Sequence, residues 1–176
     1  MKYRLLIPFV SLFIFCNNAR CQTEGDLFLK AAITKWIHTK EYTLQTASLM
    51  PEEKYSFKPM ADEMNFGEQL VHLYDNIIWL TSTYLTDIPS PAPKKKAAEL
   101  TKQQVIDRLK LGYAYAENAL RNFNTHNLSD SVTFFAGPMN KLQIINLLND
   151  HQTHHRAQVL VYLRLNGIKP PDYVGW

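Results

Sequence analysis

Thr101-Lys-Gln-Gln-Val-Ile-Asp-Arg-Leu-Lys-Leu-Gly-Tyr-Ala-Tyr-Ala-Glu-Asn-Ala-Leu-Arg-Asn-Phe123 carries apolar residues at positions 105, 109, 113, 116, 120 and 123. Steps of four and three return all six to one side of an α-helix. Gln104 stands three residues after Thr101, the spacing of a capping box, so the helix is expected to begin at Thr101. The chain just before it reads Pro89-Ser-Pro-Ala-Pro-Lys-Lys-Lys96. Prolines at every second residue favour an extended, polyproline-like strap. Such a strap can carry the chain along the length of a helical bundle, as a crossover connection requires. The lysine triplet reads as a solvated surface run rather than a binding patch.

Three more helices flank this one. Asn65 and Glu68 repeat the capping-box spacing and open a helix over about Phe66–Leu85, with Leu70, Leu73, Ile77 and Leu80 as its core stripe. An earlier helix spans about Asp26–Leu49, with Leu29, Ile33, Trp36, Ile37, Leu44 and Ala47 on its apolar side and Pro51 to end it. Asn140 and Gln143 open a last helix that stops at Asn166-Gly167, an αL-type ending ahead of Pro170. Ser131–Phe135 holds β-type residues, a weak strand signal at that length. No segment sustains a two-residue alternation. The pattern predicts an all-α fold, a four-helix bundle with one long crossover connection.

The 176 residues are 46% hydrophobic and 20% charged, with six glycines. That suits one domain and excludes collagen-like, low-complexity and wholly disordered chains. Residues 1–21 read as a secretory signal peptide: Lys2 and Arg4 precede an apolar run from Leu5 to Phe15, and Ala19 and Cys21 supply small residues before a cleavage after Cys21. The run is too short for a membrane span, which takes about 20 residues. Arg20 before Cys21 and Phe15 before Cys16 argue against a lipoprotein. Residues 22–176 are then the bundle domain, periplasmic or secreted, with 16 basic against 16 acidic residues. A neutral chain offers no electrostatic footprint for nucleic acid, and after cleavage no segment suits a membrane. Both cysteines leave with the signal, so chemistry falls to histidine, carboxylates, tyrosine or a bound metal.

The last helix contains Asn149-Asp-His-Gln-Thr-His-His-Arg156. On a helical wheel Ile144, Leu148, His151, His155, Val159 and Tyr162 share one narrow sector, with Leu147 and Gln158 at its edges. Two imidazoles one turn apart on a core-facing stripe need polar compensation, which a divalent cation such as Zn²⁺ or Ni²⁺ provides. Two hydrogen-bonded core histidines are the plainer alternative. His154 and Arg156 fall outside the sector and read as flank or surface residues. In a zincin-type H-E-x-x-H motif Gln152 would stand where the general-base Glu belongs, and an amide cannot take a proton from water. For a third ligand the sequence offers His38, His72 and His126. His126 lies in a polar, loop-like stretch. His72 shares a polar sector with Gln69, Asp75 and Asn76, at the surface or a helix seam, and His38 competes with it.

The stretches Met50-Pro-Glu-Glu-Lys-Tyr-Ser-Phe-Lys-Pro59, Asn65-Phe-Gly-Glu-Gln-Leu-Val-His72 and His151-Gln-Thr-His-His-Arg-Ala-Gln158 together resemble the DinB-like (DinB/YfiT) superfamily, over essentially the whole chain after the signal. The final H-x-x-x-H-R-x-Q motif is the most specific part. The resemblance implies a crossover four-helix bundle in which three histidines bind one divalent metal at one end of the bundle. On that pattern His72 is the first ligand and His151 and His155 are the others. Ala157 replaces a common glycine, a change without consequence in a helix. Relatives with known activities include cytosolic thiol S-transferases and a thiol-dependent isomerase; an exported chain would lack such thiols, so the resemblance carries the site further than the reaction.

Three functional readings follow. A metal-dependent hydrolase or transferase would use the open coordination positions that three histidines leave, with water or a substrate thiol or hydroxyl activated there. Glu68, Asp75 and Asp150 are candidates to orient an imidazole, and no catalytic residue is assigned. A non-catalytic metal- or ligand-binding bundle would close the site with a fourth ligand. A metal-free interaction module is the third. The expected partner is a small-molecule substrate, and a homodimer is compatible with the sequence. Tyr173 and Trp176 are expected to pack the tail down.

Overall fold

The structure, a computed structural model, describes residues 23–176. The signal peptide and cleavage point read from residues 1–21 lie outside them. Four helices dominate: α1 (Glu24–Leu49), α2 (Phe66–Leu80), α3 (Lys102–Arg121) and α4 (Lys141–Leu165). Each begins at a capping box, formed by Thr23 with Asp26, Asn65 with Glu68, Thr101 with Gln104 and Asn140 with Gln143. Such a cap contributes about 1 kcal/mol, which fixes where each helix starts. A π-helical turn, Thr81–Leu85, prolongs α2. Gly167, with φ of 74°, ends α4.

Helix α1 packs on α3 and α4, and α2 packs on the same two. The order around the bundle is therefore α1, α3, α2, α4. End-to-end contacts give the directions. Lys102 Nζ, at the start of α3, donates to the carbonyls of Ser48 and Met50 at the end of α1, at 2.7 and 2.8 Å. Thr125, just beyond α3, donates to Asp26 at the start of α1, at 3.0 Å. Tyr162, late in α4, donates to the carbonyl of Met64 just ahead of α2, at 3.1 Å. So α1 opposes α3, and α2 opposes α4, while α2 and α3 run parallel. A parallel pair needs a return path, and the proline strap supplies it. Tyr115 donates to Ile88 O at 2.6 Å and Arg108 Nη1 to Pro93 O at 2.9 Å, so the strap descends beside α3 in the opposite sense. The crossover bundle expected from the sequence is the fold observed.

The predicted stripes of α2 and α3 face the core: Leu70, Leu73, Ile77, Leu80, Leu109 and Leu120 are fully buried. Gly112 sits where the two helices approach, and a Cβ there would lie 2.9 Å from Tyr74 Cδ2. The inner face of α1 differs from expectation. Thr39, Thr43 and Thr46 are buried, while Ile33, Ile37 and Leu44 lie at its partly covered edges. Helix α4 also departs, because it is covered from two sides. Besides the predicted sector, Asn149, Gln152 and Arg156 are buried. Arg156 is thus not a surface residue; its guanidinium lies over the Tyr42 ring at 5.1 Å.

Among the described residues only Ser131–Val132 (β1) and Met139–Asn140 (β2) pair as strands, antiparallel, in the segment between α3 and α4. The tail lies on α1, with Tyr173 edge-on to Tyr42 at 6.2 Å and Trp176 against His38 at 6.3 Å. No helix among the described residues is long and apolar enough to cross a membrane.

Candidate metal centre

The capping box at Asn65 fixes the phase of α2 and so puts His72 on its seam with α4. Asn140 does the same for His151 and His155 on α4. One ligating atom from each of His72, His151 and His155 lies within 4.8 Å of the others, and these three form a group that could hold a metal ion. Nε2 of His72 and Nε2 of His151 are 3.2 Å apart. Two nitrogens bound tetrahedrally to Zn²⁺ at its usual bond length would be separated by about 3.3 Å. The spacing fits a shared cation. His155 is buried, while His72 and His151 are partly open.

The third imidazole is held by a polar relay that the sequence did not reveal. His155 Nδ1 lies 2.6 Å from Gln69 Oε1. An amide oxygen only accepts, so the Nδ1 proton is on His155 and its Nε2 lone pair is free for a cation. Gln69 Nε2 in turn donates to Gln158 Oε1 at 2.5 Å, and Gln158 Nε2 donates to His154 Nε2 at 3.0 Å. Gln69 is fully buried, although its neighbours in sequence made it look like part of a polar surface sector. The final Gln of the H-x-x-x-H-R-x-Q motif was the one signal that could have found this relay. His154 is an exposed flank residue, as expected, and it ends the chain of bonds. His151 Nδ1 is buried without a partner, so the polar contact of that ring is the one its Nε2 makes with His72.

Burial, reinforced by the mutual proximity of the rings, pushes His151 down to about 4 and His155 down to about 3. His72 is lowered mainly by burial, with Asp75 opposing. All three are therefore neutral near pH 7, the form that ligates a metal.

The remaining sequence candidates are elsewhere. His38 Nδ1 contacts the main-chain oxygen of Trp176 on the outer side of α1, and His126 lies in the 3₁₀ turn after α3. Glu68 is engaged in the cap of α2, and Asp150 is exposed. Asp75 lines the cleft beside His72 but bonds no imidazole; its Oδ1 is buried without a partner, and burial raises its pKa above the usual carboxylate range. Gln152 points away from the histidines, where its Oε1 accepts from Tyr113 at 2.8 Å.

The centre opens into a cleft with two lobes, of about 630 and 440 Å³, which share His72, Asp75 and Lys94. The strap thus forms one wall, and its three lysines, exposed as expected, stand along the larger lobe.

A crossover helical bundle with a histidine cluster on the seam of its second and fourth helices defines a recognisable class. The model of the DinB family matches residues 26–175, and the chain belongs to that family. A relative from Bacillus subtilis (strain 168), the uncharacterized protein YrdA, is 25% identical over 155 residues, covering 85% of this chain and 87% of that one. The crystal structure of a DinB-like protein from Bacillus subtilis, YjoA, superposes with a TM-score of 0.66 at 17% identity, covering 81% of this chain and 96% of that one. A DinB-like protein from Bacillus cereus ATCC 10987 gives 0.65 at 21% identity, covering 87% and 99%. These two likenesses speak to the fold.

Proposed function

We propose that the chain is an exported protein that holds one divalent cation of the Zn²⁺ or Ni²⁺ type through His72, His151 and His155, and serves as a hydrolase or transferase for a small molecule. The observation that carries this reading is the convergence of three neutral imidazoles beside an open cleft. Among the described residues the group has three members, which favours an open site over a closed structural one. A cation so held would supply Lewis acidity at its open positions. The chain's own contribution is positioning. Gln69 and Gln158 aim His155, and the partly open rings of His72 and His151 line the cleft. Asp75 adds a carboxylate at the cleft wall, its pKa raised by burial. No cysteine lies within residues 23–176, so no thiolate from these residues serves as nucleophile.

Equilibrium dialysis against Zn²⁺ and Ni²⁺ tests the centre. About one ion per chain is expected, lost in His155→Ala and kept in His154→Ala. Equal loss in both variants would overturn the assignment, and full retention in His72→Ala would remove that ligand. Export is tested by mass spectrometry of the cell-envelope fraction, where the chain should begin at Gln22; an intact Met1 in the cytosol would contradict it.

A further inference from the structure

We propose that the cleft beside the three histidines takes a small molecule with a flat aromatic body and an anionic group, the ring lying against Trp79 and Phe135 and the charge meeting Lys94. This deepens the functional reading above and rests on it for the reaction centre, though not for the cleft itself.

The aromatic half comes from the segment between β1 and β2. Its base is anchored by the strand pair and by backbone bonds from Lys141 to Asp130 and from Leu142 to Leu128, at 3.1 and 3.0 Å. Gly137, with φ of 118°, turns the chain at its tip. Phe134 is tucked in at 9% exposure, whereas Phe135 stays 84% exposed although it lines the 440 Å³ lobe. The Trp79 ring lies 5.7 Å from Phe134 and 6.1 Å from Phe135, inclined by 31° and 32°. Tilted rings at these separations form an aromatic surface against which a flat guest can pack. Leu147 completes an apolar wall that reaches His72 and His151. An aromatic ring left in water at the mouth of a cleft is surface that a ligand can cover.

The polar half comes from the strap. Lys94 lines both lobes, and among the described residues no carboxylate lies within ion-pair distance of it. Lys95 and Lys96 add to the same side of the larger lobe. Asp75 faces the same space; burial raises its pKa, while the nearby Lys94, Arg108 and His72 oppose that shift. The unpartnered Oδ1 atoms of Asp75 and Asn76 would accept from a hydroxyl or amino group on the guest.

The test is calorimetric titration of the full chain, Zn²⁺-loaded and Zn²⁺-free, with 2-naphthoate, the neutral 2-naphthylmethanol and the cationic 2-naphthylmethylammonium. Naphthoate should bind best in both forms. Lys94→Gln should weaken naphthoate by about fivefold and leave the alcohol unchanged, the size of a partly exposed ion pair. Phe135→Ala should weaken all three by about fivefold, the size of one aromatic contact. Equal affinity for the three probes, or preference for the cation, overturns the proposal. So does naphthoate binding that needs Zn²⁺ and ignores Lys94→Gln, because the carboxylate would then be binding the ion alone. Failure of zinc uptake with the probe preferences intact would sink the metal reading and leave this one standing.

Discussion

His155 Nδ1 lies 2.6 Å from the side-chain oxygen of Gln69, across the seam between α4 and α2. This bond fixes the imidazole tautomer from outside the three-histidine cluster. Gln69→Leu keeps the volume and removes the acceptor. Metal affinity should fall by about 10- to 100-fold, the usual penalty for losing such a partner. The ion count at saturation should stay the same. Gln158→Leu acts one bond further away and should cost less. A competition titration with a chromophoric chelator measures both, and unchanged affinity in Gln69→Leu would show that the relay is incidental.

Metal bound only by the folded chain stabilises it by mass action. At a free ion concentration 100-fold above Kd the gain is about 2.7 kcal/mol. For a domain of this size that corresponds to roughly 5–10 °C in Tm. Chelation should lower the wild-type Tm by that amount and leave His155→Ala nearly unmoved. His154→Ala should respond like wild type. Scanning calorimetry with and without chelator decides this.

Acid should destabilise the metal-free protein. The folded chain holds His151 at about 4 and His155 at about 3, whereas an unfolded chain titrates near the ordinary value of about 6.5. Between those values the unfolded state binds more protons. The stability that neutral imidazoles contribute is therefore complete above about pH 6.5 and is lost as the pH falls through that value toward the folded pKa values. Urea midpoints should be lower at pH 5 than at pH 7.5, and the double variant His151→Leu/His155→Leu should flatten the profile. Metal should also be released over this range, because protons compete for the same nitrogens.

Tyr113 is fully buried and its hydroxyl joins Thr43 Oγ1 at 2.9 Å and Gln152 Oε1 at 2.8 Å. Tyr113→Phe leaves both partners short of a bond in the core and should cost about 1–3 kcal/mol. Metal stoichiometry should not change, since this cluster faces away from the histidines. For the same reason Gln152→Glu should not create a metal-dependent peptidase, because its carboxylate would face Tyr113. Peptide cleavage by that variant, lost on chelation, would show that position 152 reaches the centre.

Gly112→Ala should lower stability by about 1 kcal/mol or more, because overpacking against a ring outweighs the helix-forming advantage of alanine. The new Cβ would meet Tyr74 Cδ2 at 2.9 Å. Chemical denaturation measures the change, and a stabilised variant would mean that Tyr74 swings aside freely.

Much of the fold could be read directly, because caps and stripes are local. Asn65, Thr101 and Asn140 start their helices where the spacing of their partners said they would. The His151–His155 pair is legible for the same reason, since four residues on a helix fix a shared face. His72 needed more, because a seam position looks polar on the wheel of its own helix. Gln69 was hidden in the same way. Arg156 and Gln152 were misjudged or undetermined because α4 is buried on two sides, and a second buried face carrying polar groups cannot be told from a solvated one by period. Phe134 and Phe135 lie in an irregular segment with no period at all. The role of Lys94 depends on which way a proline strap runs across α2, and composition says nothing about that.

The order α1, α3, α2, α4 around the bundle has a consequence for how the chain can fold. Neither pair of helices adjacent in sequence on either side of the crossover, α1 with α2 or α3 with α4, forms a principal packing interface. The principal interfaces, α1 with α3 and α4 and α2 with α3 and α4, all join one side of the crossover to the other, so neither side holds a helical hairpin that could act as a self-sufficient nucleus. Acquisition of structure should be all-or-none. A fragment ending after Leu85, or one beginning at Thr101, should remain without persistent tertiary structure alone, and the two mixed together should recover helicity that neither shows separately.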